Sequence, residues 1–293
     1  MSFPYLGETK ELNDVTRKEA SGSFIRLPDG VTHYELGGPE GGKPVVLIHG
    51  FSVPYYIYDP TFELLTRSGF HVLRYDLLGR GWSDRPRLRY DIQFFVKQLA
   101  DLLEALRFTQ PVNLVGLSMG GPISAMLAVQ DPKRVRKLVL IDPVGARGIK
   151  LMGGFKVLLL PGIGELALGL AGSESLVKSL ATDFFDPALV AEFQERYRVQ
   201  MQFKGFKRAI LSSLRSNMLG SFIEIYRQVG ELNTQILLLW GRNDTTVPFP
   251  HSEDLLAVVP KVEFHVIENC GHIPHYEKPL EVNPILLEFL RNE

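Results

Sequence analysis

The chain has 293 residues, 45% of them hydrophobic and 22% charged, with a formal net charge of −1. This length allows one large α/β domain or two small ones, with a sizeable buried core in either case. The even charge balance leaves no basic excess to hold a phosphate backbone, which argues against a nucleic-acid partner.

Residues 1–20 read as a polar lead-in. Glu8, Lys10, Glu11, Asp14, Arg17, Lys18 and Glu19 leave no room for the apolar core of a secretory signal. Cys270 is the sole cysteine, so neither an intramolecular disulfide nor a cysteine-based zinc site can form. Both features fit a cytoplasmic protein. Ser23–Leu27 and Val31–Leu36 alternate around Pro28-Asp29-Gly30 and predict a hairpin. Gly37 to Lys43 is a second turn. Pro44–His49 is continuously apolar up to its terminal histidine, the pattern of a strand buried on both faces. A further strand is expected at His71–Asp76, and helical spacing runs from Tyr90 to Arg107.

Pro111–Val115 then reads as a buried strand and Met119–Gln130 as a helix. Additional strands are expected at Lys137–Ile141, Ile236–Trp240 and Val262–Ile267, and helices at Asp254–Val259 and Leu280–Leu290. Alternation of strands with helices predicts a mostly parallel sheet flanked by helices on both faces. Residues 145–230 break that rhythm. They contain helical patterns without a convincing strand, which predicts a helical cap inserted into a core formed by 1–144 and 231–293. The most apolar stretch, Val157 to Leu170, is interrupted by Pro161, Gly162 and Gly164 and charged at Glu165. It is too short to span a bilayer, so no stable membrane insertion is expected.

Between the strand and the helix at residues 111–130 lies Gly116-Leu117-Ser118-Met119-Gly120, a G-x-S-x-G run. Strand, tight turn and helix, in that order, form the context in which this run presents a nucleophilic serine. A serine hydroxyl needs a base to take its proton, and the base needs a carboxylate to orient it. Downstream, Asp244 follows one strand and His272 follows the next. Catalytic groups of open α/β sheets gather at such carboxyl ends. Taken singly, Asp244 is an ordinary turn residue and His272 an ordinary loop histidine. Asp142 and His275 are rivals for the two roles, weighed below Asp244 and His272. Backbone N–H groups of Phe51, after the turn His49-Gly50, and of Met119 are placed to form an oxyanion hole.

These residues identify a resemblance. The segments Val46-Leu-Ile-His-Gly-Phe51, Arg74 to Asp84, Gly116 to Gly121, Gly241-Arg-Asn-Asp244 and Cys270-Gly-His272 together resemble an α/β-hydrolase of the carboxylesterase/lipase-like branch with a helical cap. The resemblance covers the chain from about residue 22 onward. It implies Ser118 as nucleophile, His272 as base, Asp244 as acid, and Phe51 and Met119 as oxyanion donors. Asp76, Arg80, Trp82 and Asp84 are read as structural. No cofactor or metal is implied. Serine at the elbow disfavours haloalkane dehalogenases and epoxide hydrolases, which use a carboxylate there. Ring-cleavage C–C hydrolases share Ser-Met-Gly-Gly but usually have Asn before the serine and often Trp after the histidine. Leu117 and Ile273 occupy those positions here. The expected substrate is therefore a small apolar carboxylic ester with an acyl group of short to medium length. A C–C hydrolase and a triad-retaining receptor for a small ligand are the alternatives. The cap's apolar residues, from Ile149 through Leu151, Met152, Phe155 and Leu158 to Leu170, should mostly pack it onto the core, with a subset lining a pocket over Ser118.

Overall fold

A computed structural model describes residues 5–149 and 153–292. Lys150, Leu151 and Met152 lie outside the described residues, as does the side chain of Phe155. Eight strands form one sheet: β1 (Ser23–Leu27), β2 (Gly30–Gly37), β3 (Pro44–Ile48), β4 (His71–Tyr75), β5 (Val112–Leu117), β6 (Val135–Ile141), β7 (Gln235–Gly241) and β8 (Glu263–Ile267). Their order is β1-β2-β4-β3-β5-β6-β7-β8. The β1–β2 hairpin and the β2–β4 pair are antiparallel, and every later pair is parallel.

Ten α-helices accompany the sheet among the described residues: α1 (Asp59–Arg67), α2 (Ile92–Ala105), α3 (Gly120–Gln130), α4 (Ile163–Ser179), α5 (Val190–Met201), α6 (Phe206–Arg215), α7 (Ile223–Gly230), α8 (His251–Val258), α9 (Pro274–Glu277) and α10 (Pro279–Arg291). Side chains alternate across the strands, so the central strands feed two cores. Val46, Ile48, Leu138, Leu140, Leu238 and Trp240 pack on one face with residues of α2, α3, α7 and α8. Val45, Leu47, Val139, Ile141, Leu237 and Leu239 pack on the other with α1, α10 and the segment after β6. Coverage of both faces explains why β3 and β5 are buried throughout and almost wholly apolar, Asn113 of β5 donating its amide to the Pro44 carbonyl.

Only helical elements occupy the described residues between β6 and β7. Leu158, Leu168, Val177, Phe193, Tyr197 and Ile210 of this segment merge with the core beneath one sheet face. Its last helix, α7, behaves differently. Tyr226 and Val229 of α7 join the opposite core, and Tyr226 donates to the carbonyl of Val144 beside the elbow.

Candidate active site

The turn at Ser118 is built from close backbone contacts. Register pairs Ile48 of β3 with Gly116 of β5. A Cβ on Gly116 would lie 2.4 Å from the carbonyl oxygen of Gly120, and one on Gly120 would lie 2.2 Å from that of Ile48. Only glycine permits this approach of β5, α3 and β3. Ser118 itself adopts φ 53°, a left-handed conformation that non-glycine residues rarely take. Three backbone bonds hold it there. Its N–H donates to Ile141, and its carbonyl accepts from Gly121 and Val144. Strain at this one residue is thus supported by β6 and by the start of α3.

Asp244 and His272 come from the turns after β7 and β8. Asp244 Oδ2 lies 2.7 Å from His272 Nδ1. Asp244 Oδ1 accepts from the backbone N–H groups of Thr246 and Val247, each at 2.8 Å. Both residues are buried. Burial alone would pull the imidazole of His272 down, but the charge and hydrogen bond of Asp244 outweigh it and raise its pKa. Ser118 and His272 line the same cavity, of about 180 Å³, together with Gly50, Phe51 and Leu117. Gly50 passes so close that a Cβ there would sit 3.1 Å from the Ser118 Cβ.

Of the rivals, His275 falls elsewhere and Asp142 sits beside Asp244. His275 is buried against the Tyr58 ring, 4.7 Å between centroids. Burial and the neighbouring His272 pull it down to about 3, so it stays neutral. Asp142 does not reach His272 by hydrogen bond among the described residues; its Oδ1 accepts from the Gly241 N–H at 2.9 Å. Its carboxyl nonetheless lies with the Asp244 carboxyl and the His272 imidazole in one buried group, ligand atoms all within 4.8 Å of one another. Three of the four carboxylate oxygens there already accept hydrogen bonds. The arrangement is that of a hydrogen-bonded acid pair behind a histidine. Cys270 is buried, and burial pushes its thiol well up, so it is no competing nucleophile.

The turn carrying Phe51 is held by Arg80 and His49. Arg80 donates from Nε to the Phe51 carbonyl at 2.7 Å and from a terminal nitrogen to Ser213 Oγ. His49 accepts from the Leu77 N–H through Nε2 and pairs through Nδ1 with the Gly50 carbonyl. Burial pulls His49 down to about 4, which keeps it the neutral partner those bonds require. Asp76 accepts from the Tyr55 and Trp82 N–H groups, and Asp84 from that of Val31.

Sequence inspection missed Asp183, which follows α4 and lines the same cavity. Its carbonyl accepts from the His272 N–H at 2.8 Å, and its Oδ1 accepts from Thr246 Oγ1 at 2.7 Å. No motif marks it, because its position depends on how the inserted segment meets the loops after β7 and β8. Glu277 of α9 joins the same parts, accepting from the N–H groups of Phe185, Asp186 and Gly271. Of the inserted apolar residues expected over Ser118, Ile149 lines the cavity, joined by Leu180. Leu158 and Leu168 are core. Leu159, Leu160, Ile163, Leu166 and Leu170 are exposed.

A model of the alpha/beta hydrolase fold matches residues 43–279. The chain belongs to the α/β-hydrolase family. It is 30% identical, over 94% of its own length and 98% of the relative's, to 2-hydroxy-6-oxononadienedioate/2-hydroxy-6-oxononatrienedioate hydrolase 1 of Pseudomonas putida. Among solved structures it resembles a meta-cleavage product hydrolase from Pseudomonas fluorescens, at 25% identity and a TM-score of 0.76, covering 92% of this chain and 97% of that one. It also resembles a membrane phospholipase A, at 27% identity and a TM-score of 0.73, covering 92% and 85%. The curated relative is thus named for ring-cleavage products rather than simple esters, so the similarity supports a hydrolase without supporting the carboxylesterase branch. No helix among the described residues is long and apolar enough to cross a membrane.

Proposed function

We propose that this α/β-hydrolase cleaves a neutral carboxylic ester with a short, apolar acyl group through an acyl-enzyme. Ser118 attacks the carbonyl carbon while His272 takes its proton. Asp244 orients the imidazole and stabilises its cationic form. The N–H groups of Phe51 and Met119 receive the oxyanion. His272 then protonates the departing alkoxide, and water, activated by the same imidazole, releases the acid. The helical segment 145–230 acts as the cap over this chemistry, with α7 serving the core.

The observation that carries the substrate class is the cavity lining. Among the described lining residues Asp183 is the one carboxylate, and there is neither Lys nor Arg. No cation among these described residues is placed to pair the charges of a dicarboxylate of the kind in the curated relative's name, which favours a neutral substrate. Leu117 and Ile273 also line the cavity with apolar surface where the C–C hydrolases usually carry polar or aromatic groups. Volume argues for a short acyl chain, since an apolar cavity of ~150 Å³ takes a molecule about the size of benzene.

A second reading, hydrolysis of a C–C bond in a ring-cleavage diketone, is favoured by the curated relative's name and by its near-full-length match. Steady-state rates on p-nitrophenyl esters from acetate to palmitate, run beside a vinylogous diketone, separate the two. The ester reading expects kcat/KM to peak at short chains, each buried methylene adding ~0.8 kcal/mol until the cavity is full. Negligible ester turnover beside rapid diketone cleavage would establish the second reading. Binding with no turnover of either would leave a receptor.

A further inference from the structure

We propose that Asp183 forms a subsite for the alcohol half of the substrate, accepting a hydrogen bond from a hydroxyl on that half and rejecting a carboxylate there. The inference rests on the ester reading above and extends it to the leaving group. Its geometric basis is the position of Asp183 relative to His272. The backbone carbonyl of Asp183 holds the His272 N–H, so the two residues are locked side by side at the wall of the cavity. In acyl transfer the histidine gives its proton to the departing alkoxide oxygen. The alcohol must therefore leave along the His272 side, away from the oxyanion donors near Gly50 and Ser118. A group beside His272 meets the first carbons of the alcohol, not the acyl chain.

What Asp183 offers there is a half-used acceptor. Thr246 Oγ1 donates to Oδ1, and among the described residues no donor reaches Oδ2. The carboxylate is half-buried, and burial raises its pKa against the lowering effect of His272 and of the Thr246 hydrogen bond. Thr182, Ser179 and Thr246 line the same cavity and add hydroxyl groups to it. The second oxygen of Asp183 is open to the cavity, where a substrate hydroxyl can take the place of water as its donor, and the carboxylate repels any anion placed against it. An ester of a polyol, with a free hydroxyl one or two carbons from the ester oxygen, has the matching chemistry.

Three esters with one acyl group test the subsite: ethyl butyrate, 2-hydroxyethyl butyrate and carboxymethyl butyrate. Wild type is expected to favour the hydroxyethyl ester over the carboxymethyl ester by roughly a hundredfold in kcat/KM, the size expected when a charge-assisted hydrogen bond is exchanged for like-charge repulsion. Asp183→Asn removes the repulsion and keeps an acceptor oxygen, so the ratio should fall by about tenfold or more. Asp183→Ala should bring all three esters close together. An unchanged ratio in either folded variant overturns the subsite. So does an equal loss on all three esters, which would make Asp183 a prop for His272. Absence of turnover on every ester by wild type would remove the ester reading and the subsite with it, a result distinct from turnover without discrimination.

Discussion

Replacing Asp142 by Asn is expected to raise stability at neutral pH while leaving the enzyme active. Asp142 and Asp244 place two carboxyl groups in one buried site. Carboxylates so close, away from water, do not both ionise. Asp244 faces three donors, the N–H groups of Thr246 and Val247 and Nδ1 of His272. Asp142 has one, the Gly241 N–H. Burial first, and the charge of Asp244 second, push the Asp142 carboxyl well above the usual range. Asp142 therefore holds a proton in the native state that it releases on unfolding. The sign follows from linkage. Between the unfolded pKa of about 4 and the raised native value, the native state binds one proton more, so this group lowers stability by ~1.4 kcal/mol for each pH unit. An asparagine keeps an acceptor for Gly241 and a donor for Asp244, tolerates the φ of 41° at this position, and carries no such proton. The stability difference between Asp142→Asn and wild type should thus widen as pH rises above about 4, until the native pKa is passed. Urea unfolding of both proteins across that range measures it. A difference that stays flat with pH, or shrinks, would refute the protonated acid. Loss of kcat in Asp142→Asn matching that of Asp244→Asn would reverse the assignment of the catalytic carboxylate.

Ser118→Ala should cost on the order of 10⁴ to 10⁶ in kcat with the thermal transition preserved, and should abolish labelling by an organophosphate; turnover retained at a substantial fraction of wild type would exclude the acyl-enzyme. The raised pKa of His272 sets the acid limb of activity. As a base it works only when neutral, so kcat/KM should fall as pH drops through a value above the ordinary ~6.5, and a limb below that value in the free enzyme would contradict the Asp244–His272 pairing. Gly116→Ala should destabilise by about 1–3 kcal/mol, because its Cβ would meet the Gly120 carbonyl oxygen at 2.4 Å and Ser124 Oγ at 2.6 Å. A melting curve identical to wild type would show that the elbow is looser than its contacts indicate.

The strands were legible because burial on both faces writes itself as an unbroken apolar run. Pro44–Ile48 and Gln235–Gly241 lie within a residue of where the sequence places them. Helix α1 was not legible. Its Asp59-Pro60-Thr61-Phe62 start follows the aromatic run Tyr55–Tyr58, itself a 3₁₀ turn, and only Thr61, Phe62 and Leu65 of the helix are buried. That short apolar face gives too little periodicity to stand out. Helix α8 begins at His251, three residues before the expected Asp254, since the turn at Pro248–Pro250 delivers the chain directly into it. The site divides along the same line. Ser118, Asp244 and His272, the residues proposed for catalysis, were legible as a group because each follows a strand, and strand ends are where a sheet displays its chemistry.

Asp183 could not be found that way, and the reason bears on how substrate choice is encoded in this fold. The groups proposed for bond breaking sit on turns whose geometry the sheet dictates: Gly116, Gly120 and the left-handed Ser118 fix the nucleophile through contacts with β3 and β6. Asp183 depends on contacts made across the whole chain. It needs Thr246 from the loop after β7, the His272 N–H from the loop after β8, and Glu277 holding the neighbouring Phe185 and Asp186. No spacing rule joins residues so far apart. A relative can therefore keep the elbow, the acid and the base while changing the wall beside the histidine, and its sequence would still match across nearly its full length. This is how 30% identity to a hydrolase named for a dicarboxylate is compatible with a cavity whose described lining carries a carboxylate and no cation.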